Sequence, residues 1–370
     1  MCAQKLTISM WEYSWLTRRW GDENEFNDWN VVLDEAVDRG YNCLRIDPYP
    51  QLFLSEKSTQ EIRALPKHAF WGCHFDSQVS IKKDLREFMT LCKEKNIKVG
   101  LSGWYVADKE DLFKKTKSKE VMVDMWVLVL KFLEEHNLLE IVDWVDPVNE
   151  WPLSYPDPAN NIFSLAFRRK SFMKRTNEFL AFVLRSLKDI YPDLKYTFSF
   201  TVEHFPRKKE REKLDLREFD LLEIHTWLSS WFWFRYAIKH RLFQYSQNFP
   251  FKISIKRFAK RAKDKYYEQE EKWLNYFREE MLSQIDWANE LGVPIYNTEG
   301  YITIFYLNAP PDLGFDVWEW YRDASQQCHQ IATEIGFDGL CTSNFSEPYF
   351  DLWKKPEWHK KLNEYFLNFK

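Results

Sequence analysis

The chain has 370 residues, with 52 Lys and Arg against 56 Asp and Glu, which gives a formal net charge of −4. This balance argues against a nucleic-acid-binding protein, because such proteins usually carry a strong basic excess. The content of 45% hydrophobic and 29% charged residues excludes global disorder. Aromatic residues are abundant, with 18 Trp, 18 Tyr and 30 Phe. This abundance predicts stacking surfaces in a binding site as well as an aromatic core.

Several other classes of protein lack support in the sequence. No run of about 18 apolar residues occurs, so no membrane span is predicted. The six cysteines form no CxxC pair and the histidines have no HxxxH spacing, so we expect neither a metal ion nor another cofactor. The N-terminal residues show no signal region, which predicts a cytoplasmic protein, or an exported one whose signal peptide is absent from this sequence. The sequence does not indicate an oligomeric state.

Short apolar runs alternate with longer helical patterns along the whole chain. Eight runs are predicted as strands: Leu6–Met10, Cys43–Ile46, Lys98–Ser102, Ile141–Val148, Tyr196–Thr201, Leu221–His225, Pro294–Thr298 and Gly339–Thr342. Helical periodicity predicts helices over Phe26–Arg39, Ile81–Lys95, Val121–His136, Phe163–Tyr191, Tyr267–Leu291, Val317–Ile335 and Glu357–Phe369.

Eight strands that alternate with helices predict an α/β protein with the (β/α)8 TIM-barrel fold, formed by residues 1–370 as a single domain. The alternative is a doubly wound open sheet, but no GxGxxG or GxxxxGK[ST] motif follows any predicted strand.

The widest gap between strands, after the sixth, predicts a long helical and aromatic insertion over about residues 228–290. Its first part, Trp227–Tyr245, is dense in aromatic residues, and Lys252–Lys265 carries seven Lys and Arg against one Asp. The basic run is either a solvated helix face or part of a cap over the barrel mouth whose cations favour an anionic substrate group. In the second case Trp227, Trp231, Trp233 and Tyr236 are expected to cover the mouth.

Two glutamates stand where predicted strands end. Glu150 follows the fourth strand and Glu299 follows the seventh, each flanked by aromatic residues. Catalytic residues of such barrels lie at the carboxyl ends of the strands. Glycoside hydrolysis uses two carboxyl groups that face each other across a sugar. Because a closed barrel brings distant strands together, the two glutamates are predicted to form such a pair.

The pair Asn149-Glu150 and the run Thr298-Glu299-Gly300 resemble the signature of the large barrel clan of retaining glycoside hydrolases, which includes cellulases, β-mannanases and β-galactosidases. The resemblance implies that Glu150 is the acid/base and Glu299 the nucleophile. It also implies that Arg45 supports the nucleophile, that Asn149 binds the sugar 2-hydroxyl, and that His225 is the active-site histidine.

The chain departs from the clan's pattern at three places. Cellulases of this clan usually carry His-x-Tyr after the sixth strand, whereas this chain has His225-Thr226-Trp227. The usual histidine after the third strand is not evident in the run 101–105, and Thr342-Ser343-Asn344-Phe345 replaces the usual tryptophan after the eighth. These departures put a standard cellulase assignment in doubt and leave room for another sugar, or for binding without cleavage.

Other strand-end residues are candidates for substrate contact. The acids Glu12 and Asp47 suit either a sugar contact or a structural ion pair, and Glu203-His204 suits a supporting pair. The aromatic candidates, which suit either sugar stacking or core packing, are Trp11, Tyr49, Trp104, Trp151, Trp227 and Tyr301.

Together these features predict a retaining glycoside hydrolase that cleaves β-glycosidic bonds of an oligosaccharide or glycoside by double displacement. Glu299 would attack the anomeric carbon, and Glu150 would first protonate the leaving oxygen and then deprotonate water. Retention requires carboxyl groups about 5–5.5 Å apart. The alternatives are a carbohydrate-binding protein on the same barrel with little or no hydrolysis, and a transglycosylase.

Overall fold

Short parallel strands surrounded by helices form the framework of the chain. The structure is a computed structural model that describes residues 4–20, 24–65, 73–152, 154, 170–201, 212–228, 251–302 and 316–370. Its strands are β1 (Leu6–Glu12), β2 (Cys43–Ile46), β3 (Gln60–Ile62), β4 (Ser77–Val79), β5 (Lys98–Ser102), β6 (Val142–Asp146), β7 (Lys195–Tyr196), β8 (Phe200–Thr201), β9 (Leu222–His225), β10 (Ile295–Asn297) and β11 (Gly339–Cys341).

The parallel strands close into a barrel. The order in the nine-stranded sheet is β7-β6-β5-β2-β1-β11-β10-β9-β8. Its two end segments, β7 and β8, belong to one continuous run of chain, which pairs with β6 through β7 and with β9 through β8. This closure confirms the predicted (β/α)8 barrel. The remaining two strands, β3 and β4, form a separate antiparallel pair.

Helices connect the strands. The α-helices are α1 (Ser14–Thr17), α2 (Trp29–Asp38), α3 (Ile81–Glu94), α4 (Lys119–Glu135), α5 (Lys170–Lys188), α6 (Phe251–Glu268), α7 (Glu270–Leu291), α8 (Val317–Ile335) and α9 (Pro356–Asn368). Short 3-10 helices cover Pro50–Leu54, Leu112–Lys115, Leu139–Ile141 and Asp351–Lys354. Within the described residues, none of the helices combines the length and the apolar character that crossing a membrane requires.

All eight predicted strands are present, and the fifth is split into β7 and β8. Each predicted helix has a counterpart within a few residues, although 163–169, the predicted start of α5, lies outside the described residues. The hairpin of β3 and β4 was not predicted, because strands of three residues are too short to show an alternating pattern.

The lower part of the barrel interior is apolar. A separate buried cluster fills it, made of Leu6, Ile8, Cys43, Trp144, Leu221 and Tyr296. Two glycines make room for its large rings. A Cβ at Gly100 would lie 2.1 Å from the Trp144 ring, and one at Gly339 would lie 2.7 Å from Tyr296. The polar residues of the barrel therefore lie above this cluster, toward the carboxyl ends of the strands.

The insertion after the sixth barrel strand contains α6 and α7. Of the residues expected to cover the mouth, Trp231, Trp233 and Tyr236 lie outside the described residues. The described contacts of α6 include α8, where Lys263 pairs with Glu319 at 3.1 Å and the ring of Tyr266 meets that of Trp320 at 5.9 Å. They also include α7, whose Trp273 Nε1 donates to Lys265 O at 3.0 Å. The basic helix thus packs on the outer layer of helices over its described contacts.

Candidate active site

Arg45 lies at the centre of a buried polar network above the apolar floor. The residue is part of β2 and is fully buried. Its Nη1 donates to Glu299 Oε1 at 2.7 Å, and its Nη2 donates to Ser102 Oγ at 3.0 Å and also to Asn149 Oδ1. Its Nε lies 3.4 Å from Glu223 Oε1. Although burial disfavours the cation, Glu223, Glu299 and Asp146 raise the pKa of Arg45 further above its ordinary value.

Asn149 and Glu150 are fixed in the turn after β6. The backbone N–H of Asn149 donates to Gly103 O at 2.9 Å, and that of Glu150 donates to Ser199 Oγ at 2.8 Å. Glu150 adopts a left-handed backbone with φ of 49°, which such anchors can hold. Because Asn149 Oδ1 accepts from Arg45, its Nδ2, which has no partner among the described residues, is available as a donor.

Asp146 ties the network to the neighbouring strands. Its Oδ2 accepts from Ser102 Oγ and from Ser199 Oγ, each at 2.7 Å. Burial, and then the negative charge of Glu223, raise the pKa of Asp146 to about 6. Asp146 thereby positions Ser199, the residue that anchors the backbone of Glu150.

His225 joins the two predicted catalytic glutamates. Its Nδ1 lies 3.0 Å from Glu150 Oε1 and 3.4 Å from Glu299 Oε1. Its Nε2 lies 3.2 Å from Thr298 Oγ1, which itself donates to Glu223 Oε1 at 2.5 Å. Since Thr298 uses its proton toward Glu223, both ring nitrogens face acceptors, as in a protonated imidazole. Burial opposes this charge, but Glu299, Glu150 and Glu223 raise the pKa of His225 to about 9.

Glu299 and Glu223 are both buried, but their pKa values shift in opposite directions. Burial, with the nearby charge of Glu150, raises the pKa of Glu299, against the opposing effect of His225 and Arg45. Burial also acts on Glu223, but Arg45, His225 and the hydrogen bond from Thr298 lower its pKa. Glu223 is therefore the permanent anion that balances Arg45 and His225.

The two predicted catalytic carboxyl groups face each other. Glu150, His225 and Glu299 each offer one ligand-type atom, and these atoms all lie within 4.8 Å of one another. The Glu150 side chain is 17% exposed and that of Glu299 only 3%. Such a triad could also hold a metal ion by distance. The guanidinium of Arg45 already places a positive charge 2.7 Å from Glu299, which disfavours a cation there.

Three of the aromatic candidates have their described ring contacts in the helix layer, which agrees with core packing, the second of the two roles that the sequence left open. Trp11 packs against Phe26, Phe88 and Trp353. The remaining two rings also pack in the core: that of Trp151 stacks on Phe179, with centroids 4.7 Å apart, and that of Tyr301 meets Phe277 at 5.5 Å and His329 at 6.4 Å. A ring that points from the barrel toward the surrounding helices packs in the core. The sequence alone does not distinguish such a ring from one that stacks on a sugar.

Other predicted contacts lie nearer the network. Trp104 is only partly buried, and its ring centroid is 6.0 Å from the Arg45 guanidinium. Asp47 accepts from the backbone N–H of Tyr49 at 2.7 Å and of Trp104 at 3.3 Å. It therefore organises the loop that carries Trp104. Trp227 is buried just after β9, and Glu203 and His204 lie outside the described residues.

Several buried acids of the network were not predicted as site residues. These are Asp146, Glu223 and Glu347, and the role of Thr298 was also not predicted. A signal does exist for Asp146 and Glu223, because an ionisable residue within a short apolar strand is uncommon and needs a buried partner. Glu347 lies in a loop and gives no such signal.

The comparisons with known proteins agree with the fold. The family described as sugar-binding cellulase-like matches residues 8–367 of the chain. A presumed glycoside hydrolase from Parabacteroides distasonis ATCC 8503 is 27% identical, with a TM-score of 0.84 over 99% of this chain and 94% of that one. No curated protein matches the chain.

More distant solved structures share the barrel. The endo-1,4-β-D-mannanase of Thermotoga petrophila RKU-1 is 12% identical, with a TM-score of 0.51 over 92% of this chain and 87% of that one. The glycoside hydrolase family 5 mannosidase of Rhizomucor miehei is also 12% identical, with a TM-score of 0.50 over 98% and 93%. At this identity the likeness concerns the fold.

Proposed function

The chain belongs to the sugar-binding cellulase-like family, and we propose that it is a retaining glycoside hydrolase that cleaves β-glycosidic bonds of an oligosaccharide or glycoside. The observation that supports this proposal best is the approach of the Glu150 and Glu299 carboxyl groups, with oxygens within 4.8 Å. Retaining enzymes hold these groups about 5–5.5 Å apart, whereas inverting enzymes leave about 6.5–9.5 Å for a water molecule.

In the first step Glu299 attacks the anomeric carbon and the glycosidic oxygen takes a proton from Glu150. Glu299 suits the nucleophile because Arg45 holds one of its oxygens and because it is more enclosed than Glu150. His225 Nδ1 and Glu150 Oε1 are hydrogen-bonded at 3.0 Å, so the catalytic proton can be held on either residue. The proton therefore stays in the site until it is needed on Glu150.

In the second step water attacks the glycosyl-enzyme and Glu150 takes its proton. Esterification removes the negative charge of Glu299, so that Glu150 ionises more readily at this stage. Arg45 donates to Ser102 and holds Asn149 through its Oδ1. The Nδ2 of Asn149, unpartnered within the described part of the chain, is available to donate to the sugar 2-hydroxyl. Positive charge on the sugar ring makes the 2-hydroxyl a stronger donor, so the hydrogen bond that it gives to the protein strengthens in the transition state.

The state of Glu299 sets the acidic limit of activity. A nucleophilic carboxylate must be ionised, and burial raises the pKa of Glu299 above that of an ordinary glutamate. Arg45 and His225 oppose that effect. Activity should therefore fall as the pH drops through this raised value, rather than at the value of an exposed glutamate.

A second candidate is a carbohydrate-binding protein with little or no hydrolysis. Its support is the absence from the sequence of the tyrosine usual after the sixth strand and of the tryptophan usual after the eighth, where this chain has Trp227 and Asn344-Phe345. Binding of sugars without turnover of any aryl glycoside would favour it. Transfer to an added acceptor sugar, measured by product analysis, would instead identify a transglycosylase.

The test separates the roles of the two glutamates with aryl β-glycosides. Glu299→Gln should abolish turnover of every substrate that the native protein cleaves. Glu150→Ala should cripple substrates with poor leaving groups but spare glycosylation by activated phenols, and then stall at the glycosyl-enzyme. Azide needs no deprotonation, so it should rescue this variant and give a β-glycosyl azide.

The surface variant Glu94→Gln should behave as the native protein, because Glu94 is exposed on α3. Equal losses in both glutamate variants, with no azide product from Glu150→Ala, would contradict the assignment.

A further inference from the structure

Glu12 points into the barrel mouth beside the catalytic pair. On β1, Met10 faces the interior, since its Sδ lies 3.4 Å from Arg45 Nη1. Trp11 faces the helix layer, and the register of β1 against β2 shifts between Met10 and Glu12. The charges that act on the Glu12 carboxyl group include those of Glu299, Arg45 and Glu150, so this group lies on the side of the catalytic pair. The backbone of Glu12 is left-handed, with φ of 42°, and its carbonyl accepts from Asp47 N–H at 2.8 Å. The side chain is therefore held at the end of β1.

The carboxyl group of Glu12 has no partner within the described part of the chain. The residue is 0% exposed, and neither Oε1 nor Oε2 makes a hydrogen bond. A buried carboxyl group without partners is costly in either protonation state, because the anion lacks donors and the acid lacks an acceptor. A buried polar group without a partner calls for an explanation, and a ligand bound beside the catalytic pair would supply the missing partner.

Glu347 is the second acid on this side of the mouth. It follows β11, is fully buried, and accepts from Ser14 Oγ through Oε2, while its Oε1 has no partner among the described residues. Glu12 interacts electrostatically with Glu347 as well as with Glu299 and Glu150. We call Glu12 and Glu347 the mouth pair.

The cations near the mouth pair are already engaged. Arg45 binds Glu299 and Asn149. Arg18, the basic residue nearest in sequence to Glu12, contacts Glu25 through two nitrogens at 2.8 and 2.6 Å. Burial raises the pKa of both members of the mouth pair, and neighbouring carboxylates add to the effect on Glu12. The pair is therefore suited to hydrogen bonding rather than to ion pairing with the protein.

We propose that the mouth pair binds hydroxyl groups of the sugar ring held next to the catalytic pair, and that it excludes sugars bearing a carboxylate. This inference rests on the proposed function for the position of that sugar ring. A carboxyl group can accept two neighbouring hydroxyls, which matches the two unpartnered oxygens of Glu12. A sugar carboxylate would instead lie close to the ionised Glu299 and add a further acid beside Glu12 and Glu347, with no free cation described nearby. Its negative charge would be repelled by Glu299 at such short range.

The test measures binding without hydrolysis, at pH 7, by calorimetry. The probes are phenyl 1-thio-β-glycosides of glucose, mannose, galactose and glucuronic acid, because the sulfur linkage resists cleavage. The native protein should bind at least one neutral probe tenfold or more tightly than the glucuronide. Glu12→Gln should weaken binding of that neutral probe by about tenfold, the effect of losing one or two hydrogen bonds. The ratio of the Kd of the glucuronide to that of the neutral probe should be smaller in this variant than in the native protein.

Controls separate this outcome from misfolding and from failure of the proposed function. Glu12→Gln should unfold at the same temperature as the native protein or higher, because it removes a buried ionisable group. Glu94→Gln should bind as the native protein does. Unchanged binding in Glu12→Gln, equal native affinity for the glucuronide, or no binding of any neutral probe would overturn the inference. If the native protein binds a neutral probe more tightly than the glucuronide but cleaves no aryl O-glycoside, the inference about the mouth pair stands and only the proposed hydrolase activity is refuted.

Discussion

At the scale of single residues, two tryptophans predicted for the same role occupy different layers. The Trp104 ring is partly buried and lies near the Arg45 guanidinium, whereas Trp11 is fully buried between β1 and the helices. Trp104 follows a strand and Trp11 lies near the end of one. Their different roles depend on which way each backbone turns, which local sequence does not determine.

We expect Trp104→Ala to weaken substrate binding and Trp11→Ala to weaken the fold. Loss of a stacking surface at Trp104 should raise KM by about 3- to 10-fold, from an aromatic contact of about 0.5–1.5 kcal/mol. Trp11→Ala should lower the free energy of unfolding by about 3–5 kcal/mol, as for other buried aromatic truncations, with KM unchanged in the folded fraction. Steady-state kinetics and urea unfolding distinguish the two, and reversed effects would show that the layers are wrongly assigned.

The catalytic residues named from the resemblance are brought together, but the network that supports them is not visible in the motifs. Arg45, Asn149, Glu150, His225 and Glu299 come from four separate strand ends and form one connected set of contacts. The supporting acids Asp146 and Glu223 depend on strand register, which places their side chains inside the barrel rather than outside.

At the scale of elements, strand positions could be predicted because apolar runs bounded by loops and helices are regular in such barrels. The fifth strand was less predictable. At Ser199, between β7 and β8, its backbone groups bond to a side chain at the end of β6 and to a residue after that strand, instead of to the backbone of a neighbouring strand. Ser199 N–H donates to Asp146 Oδ1 at 3.1 Å, and Ser199 O accepts from Trp151 N–H at 2.8 Å. Contacts that cross between strands in this way interrupt the ladder, and they are not encoded in local periodicity.

Strands β5 and β6 give an element-scale prediction. Gly100→Ala would place a Cβ 2.1 Å from the Trp144 ring, so it should lower the free energy of unfolding by about 1–3 kcal/mol or more through overpacking. Replacing the Trp144 ring by a smaller side chain should relieve the clash. The double variant Gly100→Ala/Trp144→Leu should therefore lose less free energy of unfolding than the sum of the losses in the two single variants. Urea unfolding of the four proteins measures this coupling, and simple additivity would argue against the contact.

At the scale of the whole molecule, buried ionisable groups make stability depend on pH in an unusual direction. His225 keeps its proton to about pH 9 in the folded protein, against about 6.5 when unfolded. Its stabilising effect is therefore complete below pH 6.5 and is lost as the pH rises toward 9. Asp47, with its pKa raised by burial to about 7, also binds more protons when folded, which gives the same sign.

Two histidines act in the opposite direction, but in a different range. Burial lowers the pKa of His329 and of His359 to about 3, so they remain neutral when folded and oppose folding only below about pH 6.5. Between about pH 6.5 and 9 His225 therefore makes stability fall as the pH rises, and the raised pKa values of Glu12 and Glu347 act with the same sign.

The melting temperature should accordingly fall by on the order of a few degrees between pH 6.5 and pH 9. His225→Gln should flatten this decline, and His136→Gln, at a partly exposed position, should leave it as in the native protein. Scanning calorimetry across this range checks the prediction. A native melting temperature that rises with pH would show that His225 is not protonated in the folded site.

The central claim is that Glu299 forms a covalent bond to the sugar, and trapping that bond tests it most directly. Aryl 2-deoxy-2-fluoro-β-glycosides of glucose and galactose, and the fluorinated mannose analogue, slow the second step because fluorine destabilises positive charge on the ring. We expect the intact protein to gain the mass of one fluorosugar, carried on the peptide that contains Glu299. Absence of that adduct for a sugar whose ordinary aryl glycoside is cleaved, or its attachment elsewhere, would contradict the double-displacement mechanism.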